Sequence, residues 1–224
     1  MVQWTAVMRR VRQPASAAIA GIIFAVILGA VIWLFHDASP DLTSDLGLWA
    51  DDPARKQTVE VALNLIPFAG IAFLWFIAVL RSQVGSDEDR FVGTVFLGSG
   101  LLFIALLFTA AAALKAILIL DNAGLTTGTD TRAMGWTLAV SLLGLFGARM
   151  AAVFVATVAT VGRRSRALPA WLTVSGYLVA LALLITPPLP TFGQFLFPAW
   201  VLVLSVYLLT GRHRRPLVSG QVEA

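Results

Sequence analysis

Apolar positions in this chain come in long unbroken runs, with none of the alternation or three-to-four spacing that marks one-sided burial. Six runs, at approximately 15–35, 58–80, 91–120, 134–161, 168–186 and 192–210, each come close to or exceed the ~20 residues that cross a ~30 Å hydrocarbon layer as a helix. The pattern predicts an all-α, polytopic integral membrane protein of six transmembrane helices. The runs use almost the whole chain, so 1–224 reads as a single transmembrane domain with one sizeable connection, an acidic loop at 36–57, and a tail at 211–224. The first run follows Arg9, Arg10 and Arg12 as a signal peptide would. It is longer than the 7–15 residues of a typical signal core and lacks a following small-residue cleavage pattern, so it reads as a retained helix.

Turn chemistry fits these spans. Ser86-Asp87-Glu88-Asp89 before Phe91 resembles a helix-capping segment, with carboxylates at the positive end of the helix dipole. Leu168-Pro169-Ala170-Trp171 puts proline in the first turn of the fifth helix and tryptophan at the interface. Pro187-Pro188-Leu189-Pro190 cannot continue a helix and predicts a tight hairpin between the last two spans. The third run exceeds an upright span, and tilt or an interfacial turn would absorb the excess.

Charge supplies the orientation. Arg9, Arg10, Arg12, Arg81, Arg90, Arg163, Arg164, Arg166, Arg212, Arg214 and Arg215 fall on one side, eleven in all. The other side has Arg55, Lys56 and Arg132 among many aspartates. The positive-inside rule then predicts a plasma-membrane protein with both termini cytoplasmic. Charged residues are 12% of the chain, about half the usual share for soluble proteins, and the arginines form no basic face with interleaved aromatics. No nucleic-acid partner is expected. The bilayer itself is the first partner, and anionic lipid at the inner arginines is a further one.

Helices in lipid associate through small residues. Ala17, Gly21, Ala25 and Gly29 repeat every four residues in the first span, and Gly144, Ala148, Ala152, Ala156 and Thr160 do so in the fourth, beside a second stripe at Gly147, Ala151 and Ala159. Bundle packing explains these stripes, and a homo-oligomer seam along the first helix is the alternative.

Ionisable residues inside spans suggest function. Arg149 lies fifteen residues after Met134 and fourteen before Arg163, about 20 Å from either boundary at the helical rise. Pro67 and Pro198 sit at the same depth in their spans and predict kinks that free the carbonyls of Leu63 and Gln194. Arg149 is expected to lean toward that level. Together with Lys115 and Glu60 slightly further out, these residues predict a polar cluster of Glu60, Asn64, Lys115, Arg149 and Gln194. Two readings stay open: a lock that holds a kinked bundle, or an anion site whose two cations exceed its one carboxylate.

No catalytic fingerprint is present, and there is no cysteine, so thiolate chemistry is excluded. His36 with the nearby aspartates is too sparse for a metal site, and no cofactor is expected. His213 belongs with the basic tail.

LNLIPFAGIAFLWFIAVLR (63–81), DEDRFVGTVFLGSGLLFIALLFTAAA (87–112), GARMAAVFVATVATVGRRSRALPAWL (147–172) and FPAWVLVLSVYLL (197–209), about three-fifths of the chain, resemble a group of uncharacterised multi-pass membrane proteins of GC-rich Gram-positive bacteria. The resemblance includes Pro67, Arg149, Pro169 and Trp171 and implies a bacterial membrane architecture without a mechanism. The expected function is a non-catalytic structural, regulatory or partner-binding membrane component. The alternative is a small transporter, channel or lipid- or anion-binding protein.

Overall fold

The computed structural model describes residues 3–38, 51–83, 90–125, 128–185 and 191–210, and every regular element among them is helical. The helices are α1 (Gln3–Ala38), α2 (Pro53–Gln83), α3 (Arg90–Asn122), α4 (Thr129–Val140), α5 (Ala148–Arg164), α6 (Ala170–Ile185) and α7 (Leu196–Thr210). A π-helical segment, Ser141–Gly147, joins α4 to α5 in one continuous rod, and a 3-10 turn, Thr191–Phe195, leads into α7. The 86–89 cap, the 187–190 hairpin, the 211–224 tail and most of the 36–57 loop lie outside the described residues.

Each apolar run of the sequence carries a helix. Five stretches are long and apolar enough to cross a membrane: Ser16–Ala38, Pro53–Arg81, Phe91–Asn122, Asp130–Arg164 and Gly193–Thr210. The fifth run forms α6, which is equally apolar but only 16 residues long. Pro169 stands just ahead of α6, and its carbonyl accepts the amides of Leu172 and Thr173 at 3.1 Å each, so proline starts this helix without losing a bond. The outer surface is apolar too: Trp33, Trp75 and Phe68 are 65%, 64% and 60% exposed. Rings of this size on the outside of a helical bundle fit a lipid solvent.

Packing follows the small residues. α2 lies against α1 and α3, α3 also packs on the α4–α5 rod, α6 covers α5, and α7 returns to α1. At Gly21 a Cβ atom would stand 2.1 Å from Ser205 Oγ and 2.8 Å from the Phe76 ring, so glycine is what lets α1, α2 and α7 meet. Ala17 and Ala25 are buried beside it, so this stripe faces the bundle interior. On α5, Ala148, Ala151, Ala152 and Ala159 are buried, and Gly176 of α6 sits against the Ala159 Cβ. The buried members of both stripes thus serve packing within one chain.

The centre is filled with phenylalanine. Phe24 of α1, Phe73 and Phe76 of α2, Phe96 and Phe103 of α3, Phe154 of α5 and Phe197 of α7 are all buried. Phe73 is the hub, with ring centroids 4.4 Å from Phe24, 5.1 Å from Phe154, 5.6 Å from Phe103, 5.7 Å from Phe197 and 6.1 Å from Phe76. Offset and edge-on rings at these separations make favourable quadrupole contacts as well as close packing. The interdigitated rings, drawn from five different spans, occupy the middle of the bundle.

Candidate functional site

The polar residues anticipated as one cluster occupy different places. Glu60 and Lys115 pair, with Lys115 Nζ donating to Glu60 Oε1 at 2.8 Å across the α2–α3 contact. Asn64, one turn further along α2, lines a recess of about 340 Å³ with Leu63, Ile66, Pro67, Phe108, Ala111, Ala112 and Lys115. This recess opens on the outside of the bundle, because Asn64, Pro67, Phe108 and Ala112 are exposed. Pro67 lies inside α2, where it withdraws the hydrogen-bond donor from the Leu63 carbonyl, so the recess contains the one interruption of that helix.

The other two residues stand apart. Arg149 Nη1 donates to the Leu145 carbonyl at 2.6 Å, a bond within its own rod. The direction is the expected one, back toward the helix N-terminus. No bond joins Arg149 to Glu60, Asn64, Lys115 or Gln194 among the described residues. Gln194 is half-buried in the 3-10 turn ahead of α7. Pro198 corrects a second expectation. It is the third residue of α7 and does not kink a helix interior. In a 3-10 turn a carbonyl bonds the amide three residues on, so the missing amide of Pro198 leaves the Gln194 carbonyl a partner position at Phe197.

Sequence reasoning did not anticipate the π segment at Ser141–Gly147. Its signal was Gly144 and Gly147, two poor helix formers three residues apart in a long span. At Gly147 a Cβ would meet the Leu142 carbonyl at 3.2 Å, the wide turn having brought that oxygen close. A return from five-residue to four-residue bonding skips one carbonyl at the junction. Ala148 gives its amide to the Leu143 carbonyl, five residues back, so the skip falls at Gly144, one residue before the Leu145 carbonyl that takes the Arg149 guanidinium.

A charge network at the Asp121 end of the bundle was also unforeseen. Asp121 of α3 accepts from both Lys56 of α2 and Arg132 of α4, and Arg132 Nη1 also donates to Asp51 Oδ1 at 2.5 Å. Asp121 and Arg132 have side chains only 13% and 14% exposed, so the network is sheltered, unlike the Lys115–Glu60 pair at 36% and 42%. The short α3–α4 connection was the available clue, since it forces the end of α3 and the start of α4 together.

Helix lengths place these groups in depth. α3 has 33 residues, about 50 Å at 1.5 Å per residue, so it overhangs a ~30 Å core by about 10 Å at each end. Lys115, seven residues before Asn122, falls near the core boundary, where a cation reaches headgroups and water. Arg149 falls near the middle of its 35-residue span.

None of these sites holds a nucleophile–base pair, and among the described residues no group of three or more His, Asp or Glu is placed to hold a metal ion. Thr160 and Tyr177 share a hydrogen bond of 3.0 Å that ties α5 to α6. Comparison with family models, curated proteins and solved structures finds no match to this chain.

Proposed function

We propose that this protein is a non-catalytic component of the bacterial plasma membrane that acts sideways, on neighbouring membrane molecules, in a structural, regulatory or partner-binding role. The single observation that carries the reading is the phenylalanine-filled centre. A conduit needs polar or at least hydrated walls along its axis, and here seven buried rings meet there with centroids as close as 4.4 Å. The charged groups among the described residues lie instead at the end and on the flanks of the bundle. The distribution of arginines supports both termini in the cytoplasm, and the resemblance to Gram-positive multi-pass proteins supports the bacterial setting.

A second reading has its own observation. The half-exposed Lys115–Glu60 pair, the exposed Asn64 and the recess beside Pro67 form a polar notch in an otherwise apolar flank. That notch suits a lipid headgroup or a small anion entering from the side.

The absence of cysteine makes the test clean. Single thiols are introduced at Ala152 and Ser205, both fully buried, at Asn64, and at exposed Ala54 and Ser165 as controls for the two ends. A small charged thiol reagent is applied to both membrane faces. Protection at 152 and 205 with rapid reaction at 54 and 165 is the expected result. Reaction at 152 or 205 at the control rate overturns the reading in favour of a water-filled pathway. Rapid reaction at 64 alone favours the lateral notch.

A further inference from the structure

Arg149 is a charge without a counter-charge, and the sequence shows that this chain has none to give it. Of the twelve acidic residues, only Glu60 lies inside the six apolar runs, and Glu60 is paired with Lys115 near a boundary. Arg149 makes one hydrogen bond, to the Leu145 carbonyl, although a guanidinium has five donors. A second copy of this chain meets the same shortage, so self-association cannot neutralise Arg149.

Depth removes the lipid phosphate as the natural partner. In the Asp130–Arg164 span, Arg149 is nineteen residues from one end and fifteen from the other. At 1.5 Å per residue, with a ~30 Å core centred on this rod, its Cα lies roughly 12–18 Å inside either boundary. The side chain reaches back along the π segment for its bond to Leu145, so the charged group sits near the midplane and well short of either headgroup layer. A charge held there without a partner is costly, which is why such residues face a protein or aqueous surface.

The surface beside it is open to a partner. Arg149, Leu145, Val153 and Ala156 are half-buried on the rod, and Phe146 is 52% exposed. Ala156 permits a close helix approach, and Phe146 offers a ring for packing. The π segment adds a further acceptor-rich stretch of backbone at the same level.

We propose that this face of the α4–α5 rod docks a transmembrane helix of another protein that carries an Asp or Glu near the middle of the bilayer. The carboxylate satisfies the Arg149 donors that Leu145 leaves free, and the shared desolvation selects against helices without an acid at that depth. This inference rests on the lateral, partner-binding reading and names the chemistry of its partner.

The test uses the purified full-length chain in bilayer nanodiscs of zwitterionic lipid, with labelled synthetic Leu/Ala transmembrane helices as probes. One probe carries a single central Glu, one carries Leu there, and one carries the Glu a turn from its end. Energy transfer reports association. The central-Glu probe is expected to bind at least about fivefold better than the other two. Arg149→Leu abolishes that preference, and Arg149→Lys keeps part of it. Arg149→Leu removes a charge from the apolar layer and should unfold at no lower temperature than the parent. Should it fail to fold, Arg149→Gln takes its place. Equal binding of all three probes by the parent chain overturns the proposal, as does a preference that survives loss of Arg149. Arg149-dependent retention of phosphatidylglycerol, with no preference among the helices, overturns it in favour of a lipid partner. None of these outcomes bears on thiol protection at 152 and 205, so failure of the docking site is distinguishable from failure of the packed-centre reading.

Discussion

Replacing Phe73 by alanine removes the hub of the aromatic core, and the expected cost follows from what a membrane leaves of the hydrophobic effect. In a soluble protein the ring would lose its transfer from water to the core. Here the unfolded reference state is itself in lipid, so that term largely cancels and packing remains. Phe73 is fully buried and contacts five other rings. The truncation leaves a cavity of about 80–100 Å³, and at about 24 cal/mol per Å³ this alone costs about 2 kcal/mol. Lost aromatic geometry is worth about 0.5–1.5 kcal/mol for a pair and is not additive over five pairs. The sum is about 2–4 kcal/mol. Reversible unfolding in mixed micelles, followed by the fluorescence of the seven tryptophans, measures it. Phe68→Ala, on a ring that is 60% exposed on the same helix, is the comparison and should change stability by less than about 0.5 kcal/mol. Equal effects at 68 and 73, or a loss below about 1 kcal/mol at 73, would refute the idea that the rings form a packed centre.

Two other substitutions probe the bundle. Gly21→Ala is expected to cost about 1–3 kcal/mol by overpacking, because the new methyl meets Ser205 Oγ and the Phe76 ring, and adding Ser205→Gly should recover part of the loss. Gly29→Ala on the same helix has open space around it and should be neutral, so equal effects at 21 and 29 would contradict the interior placement of this stripe. Arg132→Ala removes the bridge from α4 to both Asp121 and Asp51 and should lower stability by about 2 kcal/mol in the same unfolding assay. An unchanged unfolding midpoint would mean that the network is ornamental to the fold.

The helices were legible because the bilayer imposes one requirement, an apolar run of sufficient length with its backbone bonds satisfied internally. That requirement is met residue by residue in the sequence and needs no tertiary knowledge. Counting from Arg81 and Arg163 likewise sets heights along a helix. The direction in which Arg149 leans was readable from the same geometry. Rotation about each helix axis was not, and the anticipated cluster failed to converge for that reason. Glu60 and Asn64 share a face because they are four apart, and Lys115 of α3 bonds Glu60 and lines the same recess as Asn64 across the α2–α3 contact. Arg149 sits on a rod whose phase the π segment shifts by one residue, roughly 100° of rotation, so a face projected from Met134 at regular α-helical pitch is the wrong face by the time it reaches position 149. The same depth counting, applied to rings, carried more information than was drawn from it. Phe73 stands eight residues before Arg81 and Phe154 nine before Arg163, at nearly one level, and these two rings meet in the core with centroids 5.1 Å apart and planes tilted by 59°.

The separation of the two kinds of site carries the functional argument further than either site alone. Evolved conduits place their polar residues on the axis and their large rings toward lipid, because the permeating species needs the former and the bilayer accepts the latter. This bundle carries large rings on its axis as well as toward lipid. Among the described residues its buried phenylalanines meet on the axis, its most sheltered ion network closes one end, and Arg149 and the polar notch beside Pro67 are on the flanks. A packed axis also makes the rod that bears Arg149 a rigid platform, since Ala151, Phe154, Val155 and Val158 are fixed in the core on the opposite side. Rigidity matters for recognition in lipid, where a partner helix gains little from apolar burial and must be selected by geometry and by the pairing of desolvated polar groups. A fixed guanidinium at mid-depth supplies both, and it does so only if the axis behind it stays filled. The Phe73→Ala variant should therefore weaken the preference for the central-Glu helix while leaving Arg149 itself in place. Retention of the full preference in a loosened core would show that recognition needs only the charge.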